Sequence, residues 1–272
     1  MTIDWDAITR ELSPIPSFED MSRRLRGAFG YAFVREAYDF TMPALADYTA
    51  RLLGGDTRQR YTDYAATLIA TFRRLGGAGV PGVRALVERI DTRARLAALA
   101  RETEIDPGAL AAGLKFLIYW VVPMSRPLRA LARPGAEIQK VVEMIRETDL
   151  RTSLDLLEAG RAPAGRRALA ARIGAPVALI DELIQRADFS RLPWTSAATI
   201  SNYIGAGFAT LEALAEAEPE QAAARYHRDW QKPQARQRDR ERPANCANHA
   251  AGRGGGAECI TQIFWSSAAT PS

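Results

Sequence analysis

Helix starts and helix stops follow one another along this 272-residue chain at intervals too short for anything but a stack of modest helices. Ser17-Phe-Glu-Asp20 sets a hydroxyl cap three residues ahead of a carboxylate. Thr41 is followed by Pro43, tolerated in a first turn because an amide there has no intrahelical partner. Asp106-Pro107 repeats the device, and Asp56 is a further cap signal. Pro14, Pro16, Gly54-Gly55 and Gly76-Gly77 supply the stops. Between them apolar residues recur at helical spacing: Leu25, Phe29, Ala32, Phe33 and Ala37 within one predicted helix over 21–40, and Tyr61, Tyr64, Ala65, Leu68, Ile69 and Phe72 after Asp56. Two helical segments are expected over 83–103, divided near Asp91, then one from Asp106 to Val122 and one over 136–148. No stretch of strand length alternates with period two, so the expected class is all-α. Gly76-Gly-Ala-Gly-Val-Pro-Gly82 reads as a loop and a hinge between subdomains; without a Lys-Ser/Thr pair or a preceding strand it is not a phosphate loop.

The bulk chemistry sets limits. Hydrophobic residues make up 47% and charged residues 25%, the balance of a globular protein able to bury a core. Both cysteines, Cys246 and Cys259, lie late in the chain, which argues against a disulfide-built fold and for a cytoplasmic location. The N-terminus lacks the basic-then-apolar order of a signal peptide. The longest apolar run, Phe116-Leu-Ile-Tyr-Trp-Val-Val, falls short of the roughly 20 residues a membrane span needs, so a core helix and no membrane insertion are expected. The net charge is +4, but after residue 230 six cations (Lys232, Arg236, Arg238, Arg240, Arg242, Arg253) face only Asp239, Glu241 and Glu258. That stretch carries +3 and leaves +1 for the body, so overall basicity says nothing about the body's partner.

Residues 155–220 look like short helices joined by tight turns, the layout of paired helical hairpins. Leu156-Leu-Glu-Ala-Gly-Arg-Ala-Pro-Ala-Gly-Arg166, then Ile184-Gln-Arg-Ala-Asp-Phe189, Arg191-Leu-Pro193 and Gly205-Ala-Gly-Phe-Ala-Thr-Leu-Glu-Ala-Leu214 follow in order. In that order they resemble the domain of unknown function 4332, a family itself similar to tandem helix-hairpin-helix modules. The resemblance covers about 149–228 and implies sequence-independent binding of nucleic-acid backbone by Gly-hydrophobic-Gly turns. Here the first turn, Gly174-Ala-Pro176, contains a proline without an amide donor, and the second, Trp194-Thr-Ser196, has neither glycine. Arg161, Arg166 and Arg167, with Arg172 beside them and Glu158 the one nearby carboxylate, are the candidate phosphate contacts, together with the hydroxyls of Thr195 and Ser196. Gly205-Ala-Gly207 is expected to end a helix and let Phe208 fold back on the hairpin.

Catalysis has little to work with. His227 and His249 are the only histidines, both at or past the end of the patterned region, so no catalytic triad, cofactor or metal site is expected. Cys246, His249 and Cys259 give three ligands at a spacing no standard zinc site uses. The expected organisation is a helical bundle over 1–148, a helix-hairpin-helix-like domain over 149–230, and a disordered tail over 231–272 whose abrupt change of character would suit a non-native C-terminus. The leading expectation is a non-enzymatic interaction module whose hairpins contact nucleic-acid backbone or a protein partner. The alternative is a ligand-binding or enzymatic bundle around Tyr119, Trp120, Arg126 and Arg129. Ala98-Leu-Ala-Arg and the helix-turn-helix that follows to Leu114 also resemble 168–183, allowing one gap, a likeness that shared alanine and leucine content alone can produce.

Overall fold

The computed structural model describes residues 3–11, 17–55, 58–193 and 195–226. The Asp56 cap, Trp194, both histidines, both cysteines and the 231–272 tail lie outside the described residues. Among the described residues every regular element is helical, and no helix is long and apolar enough to cross a membrane. The order is α1 (Trp5–Glu11), α2 (Phe18–Ala28), α3 (Ala32–Ala37), α4 (Met42–Leu53), α5 (Gln59–Gly77), α6 (Val83–Arg89), α7 (Arg93–Thr103) and α8 (Pro107–Phe116). A wide, π-helical turn, Leu117–Val121, extends α8, and a 3₁₀ turn, Leu128–Ala130, leads to α9 (Ala136–Arg146). Then come α10 (Ser153–Gly160), α11 (Pro163–Ile173), α12 (Val177–Phe189), α13 (Ala197–Gly205) and α14 (Leu211–Ala215).

The local cap chemistry operates as the residue types dictate. Ser17, Thr41 and Asp106 each accept from the amide three residues on, and prolines occupy the first turns of α4 and α8. The single helix expected over 21–40 is instead two. α2 stops at Phe29, Gly30 turns the chain, and α3 starts after Tyr31 although the apolar spacing runs straight through the break. The end of the 76–82 stretch, expected to be a hinge, is bonded to the entry of α4. Met42 N–H donates to the Pro81 carbonyl at 3.3 Å and Val83 N–H to that of Phe40 at 3.0 Å.

A regularity emerges that the sequence shows only faintly. Helices α6, α7 and α8 begin at Val83, Arg93 and Pro107, while α10, α11 and α12 begin at Ser153, Pro163 and Val177, each 70 residues later. The turns match as well. Glu104 and Gly174 both adopt the left-handed conformation, at φ 51° and 66°, and the next amide in each case returns to the carbonyl five residues back, Ile105 to Ala100 and Ala175 to Ala170. Both units are entered through an isolated antiparallel bridge, Thr41 with Gly82 and Pro127 with Thr152. Leu86, Val87, Leu99, Leu110 and Leu114 are buried, as are their counterparts Leu156, Leu157, Leu169, Ile180 and Ile184. No gap is needed, and the fold thus contains the same three-helix unit twice.

One buried apolar cluster runs from Trp5 to Ala187 and includes both copies; a second, smaller one gathers Phe189, Leu192, Ile200, Tyr203, Phe208, Leu211, Leu214 and Ala222. Polar contacts cross residue 148 as freely as apolar ones. The Tyr31 hydroxyl donates to Asp155 at 2.6 Å, and the Glu158 carboxylate accepts the Ala32 and Phe33 amides at 3.3 and 3.4 Å. α3 has no cap of its own, so Glu158 of α10 serves as one from across the molecule. Arg93 on α7 clamps Asp6 of α1 and Glu19 of α2, and that guanidinium pushes the Glu19 carboxyl down to about 2.

Candidate functional site

The second three-helix unit is built on close backbone approach. A methyl at Gly165 would stand 2.2 Å from the Ala159 carbonyl oxygen, and one at Gly160 would stand 2.1 Å from Ile184 Cδ1. These two glycines let α10 and α11 meet and let α12 cross them. Thr152 opens α10 with a reciprocal capping box: its hydroxyl accepts the Asp155 amide while the Asp155 carboxylate accepts the Thr152 amide. Burial pulls the Asp155 carboxyl upward, but the Tyr31 hydroxyl and the amides of Arg151 and Thr152 outweigh it and hold the group below its ordinary range.

The candidate arginines do come together around the α10–α11 turn, and most are already engaged within the chain. Arg161 pairs with Glu36 of the α3 region, and that carboxylate raises the already high guanidinium pKa. Arg166 donates to the Gly160 carbonyl at 2.8 Å and approaches Asp181 at 3.4 Å. Arg172 pairs with Asp149 at 3.2 Å. Arg161, Arg167 and Arg172 are exposed, and of the group Arg167 is the one with no side-chain ion pair or hydrogen bond among the described residues.

The hydroxyl candidates divide. Ser196 is exposed and caps α13, accepting the Thr199 amide at 3.1 Å. Thr195 is 2% exposed, and its hydroxyl donates inward to the Leu192 carbonyl at 2.9 Å rather than facing solvent. The apolar Phe189 and Leu192 around this turn belong to the second core cluster and draw Thr195 in with them.

Neither matched turn presents a free nest of amides. In the second copy the Gly174 and Ala175 amides return to Ala171 and Ala170, and Pro176 has none. In the first copy the Glu104 and Ile105 amides return to Arg101 and Ala100, the Glu104 carboxylate is paired with Arg74, and Asp106 caps α8. What the second turn does show to solvent is apolar. Val177 is 40% exposed, beside exposed Pro176 and Ala178.

Two inward-held arginines, Arg186 buried and Arg191 half-buried, went unremarked in the sequence. Arg186, 1% exposed, donates to the carbonyls of Leu131 and Ala197 and to the Ser201 hydroxyl, joining the bundle to α13; burial lowers its pKa. Arg191 is clamped between the Tyr38 hydroxyl at 2.9 Å and Asp188 at 2.5 Å. Burial pushes the Asp188 carboxyl up, against the pull of Arg191. In sequence these look like ordinary surface cations, since Arg186 bonds chiefly to backbone carbonyls and Arg191 is fixed by Tyr38, far back along the chain, as well as by its neighbour Asp188.

Of the residues named for a ligand-binding bundle, Tyr119 is buried in the core and Trp120 is half-buried, its carbonyl accepting from Tyr48 at 3.3 Å. Arg129 is exposed and paired with Glu143, and Arg126 reaches the Thr195 hydroxyl at 3.5 Å. They do not converge on one cavity.

Residues 137–246 match the family described as Domain of unknown function (DUF4332). The matched stretch begins in α9 and contains the whole second three-helix unit with its arginines. No curated protein and no solved structure matches the chain.

Proposed function

We propose that the hairpin unit of α10–α14 is a non-enzymatic interaction module and that its partner is a protein. The observation that carries this reading is the state of the turn between α11 and α12. Its Gly174 and Ala175 amides are engaged internally, Pro176 has none, and it offers an apolar tip at Pro176 and Val177. A phosphate backbone needs free donors and positive potential at the turn; a protein surface accepts an apolar tip rimmed by paired charges. The engagement of Arg161, Arg166 and Arg172 with carboxylates of the same chain points the same way.

A second reading, contact with nucleic-acid backbone, keeps support from Arg167, whose exposed guanidinium has no partner among the described residues. Fluorescence anisotropy with duplex and single-stranded oligonucleotides at low salt separates the two. Phosphate contacts strengthen as salt falls. Saturable low-salt binding that Arg167→Glu removes would establish the nucleic-acid reading and sink the protein one. The protein reading expects no such binding, a discrete protein adduct from a photo-crosslinker at position 177, and loss of that adduct in a chain also carrying Pro176→Asp.

A further inference from the structure

The two copies of the three-helix unit act as internal controls for each other, and they part at the end of their third helix. α12 continues as a regular helix through Asp188 and Phe189. At the matching place α8 opens into the wide turn Leu117–Val121, closed by a 2.7 Å bond from the Val122 amide to the Leu117 carbonyl. Such widened turns are uncommon and concentrate at functional sites. In the second copy the corresponding stretch carries charge, with Asp188 held by Arg191; in the first, Ile118 stands where Asp188 does.

Beside the wide turn lies a cleft of about 310 Å³, lined by Leu25, Ile118, Val122, Pro123 and Met124 with Arg24 and Ser125 as its polar residues. Leu25, Ile118 and Val122 are almost wholly buried and form its floor. Interiors are otherwise close-packed, and an apolar space of this size with few polar groups is of the kind that holds small ligands. The charge at the mouth is specific. Arg24 contacts Asp20 at 2.8 Å, a carboxylate that Arg23 also holds, so the Arg24 guanidinium keeps several N–H donors unengaged and is 40% exposed.

We propose that this cleft binds a small amphiphilic carboxylate, its apolar body on Leu25, Ile118 and Val122 and its carboxylate on Arg24. The site is separate from the hairpin turns and stands whether their partner is protein or nucleic acid. The test is calorimetric titration of the full chain with octanoate, octanol and octylamine. Octanoate binds saturably at one site, and octanol and octylamine bind at least about tenfold more weakly, because each lacks the charge-assisted bond to Arg24. Arg24→Gln weakens octanoate by a similar factor and leaves octanol unchanged. Met124→Trp, which fills the cleft from its half-buried wall, removes both. Absence of saturable octanoate binding in the unmodified chain overturns the proposal, as does octanoate affinity that Arg24→Gln leaves intact. The comparison of three ligands on the unmodified chain keeps the question open to refutation even if a variant folds poorly.

Discussion

Gly160→Ala is the sharpest test of how the second unit is assembled. The added methyl would stand 2.1 Å from Ile184 Cδ1 and 2.9 Å from Cγ1, and Ile184, 5% exposed, is fixed in the core. Overpacking of this kind costs about 1–3 kcal/mol. Alanine at the last residue of α10 returns only a fraction of the roughly 1 kcal/mol that glycine forfeits in a helix interior. The net expectation is a loss of about 2 kcal/mol. Ile184→Val alone opens a small cavity and costs about 1 kcal/mol. Ile184→Val also deletes Cδ1, the nearer of the two atoms that the methyl added at Gly160 strikes. The double variant should therefore be no less stable than Gly160→Ala, a coupling of at least about 1 kcal/mol where independent sites would show none. Urea unfolding of the full chain measures all four corners of the cycle, provided the slopes agree. Additivity to within about 0.5 kcal/mol would refute the packing argument, and so would a Gly160→Ala variant as stable as the parent.

Other outcomes follow from the buried polar groups. Arg186→Ala strands the Leu131 carbonyl, removes the link to Ala197 and Ser201 and leaves a cavity, so stability falls by about 3–5 kcal/mol, and hydrogen exchange speeds up in α13 before it does in α4 or α5. Asp155 and Glu19 have folded-state carboxyl pKa values below their unfolded ones, so their contribution is complete above pH about 4 and is lost as pH falls through the folded values. Asp155→Asn should accordingly flatten the acid limb of a stability-versus-pH curve while leaving the slope near neutral pH unchanged; an unchanged acid limb would remove Asp155 from the account. Thr195→Val exchanges a buried hydroxyl for a methyl and lowers stability by about 1 kcal/mol, readable in a thermal melt.

What was legible in the sequence was whatever is decided within one helical turn. Ser17, Thr41 and Asp106 cap the helices they precede because a cap needs only an amide three residues away. The break between α2 and α3 escaped because Phe29, Ala32 and Phe33 keep their spacing through it, and a lone Gly30 is a weak cue against that pattern. The partners of the arginine group were hidden for a related reason. Over 155–175 the nearby carboxylates are Asp155 and Glu158, yet Glu36 and Asp149 are the ones that reach Arg161 and Arg172 on folding, and no local count of charge contains Glu36. The repeat was half visible: Ala98-Leu-Ala and Ala168-Leu-Ala survive, while Glu104 and Gly174, or Phe116 and Arg186, share a place and a conformation with unlike side chains.

The capping of α3 by Glu158 also sets an order of events. α3 is six residues long, far below the length at which a helix holds its shape by itself, and the acceptor for its first amides lies 126 positions further along the chain. During synthesis the first half therefore emerges with a helix it cannot finish, and α3 closes only once α10 has been made and has docked. A nascent chain arrested before residue 158 should leave residues 30–38 open to protease, and one extended past α12 should protect them.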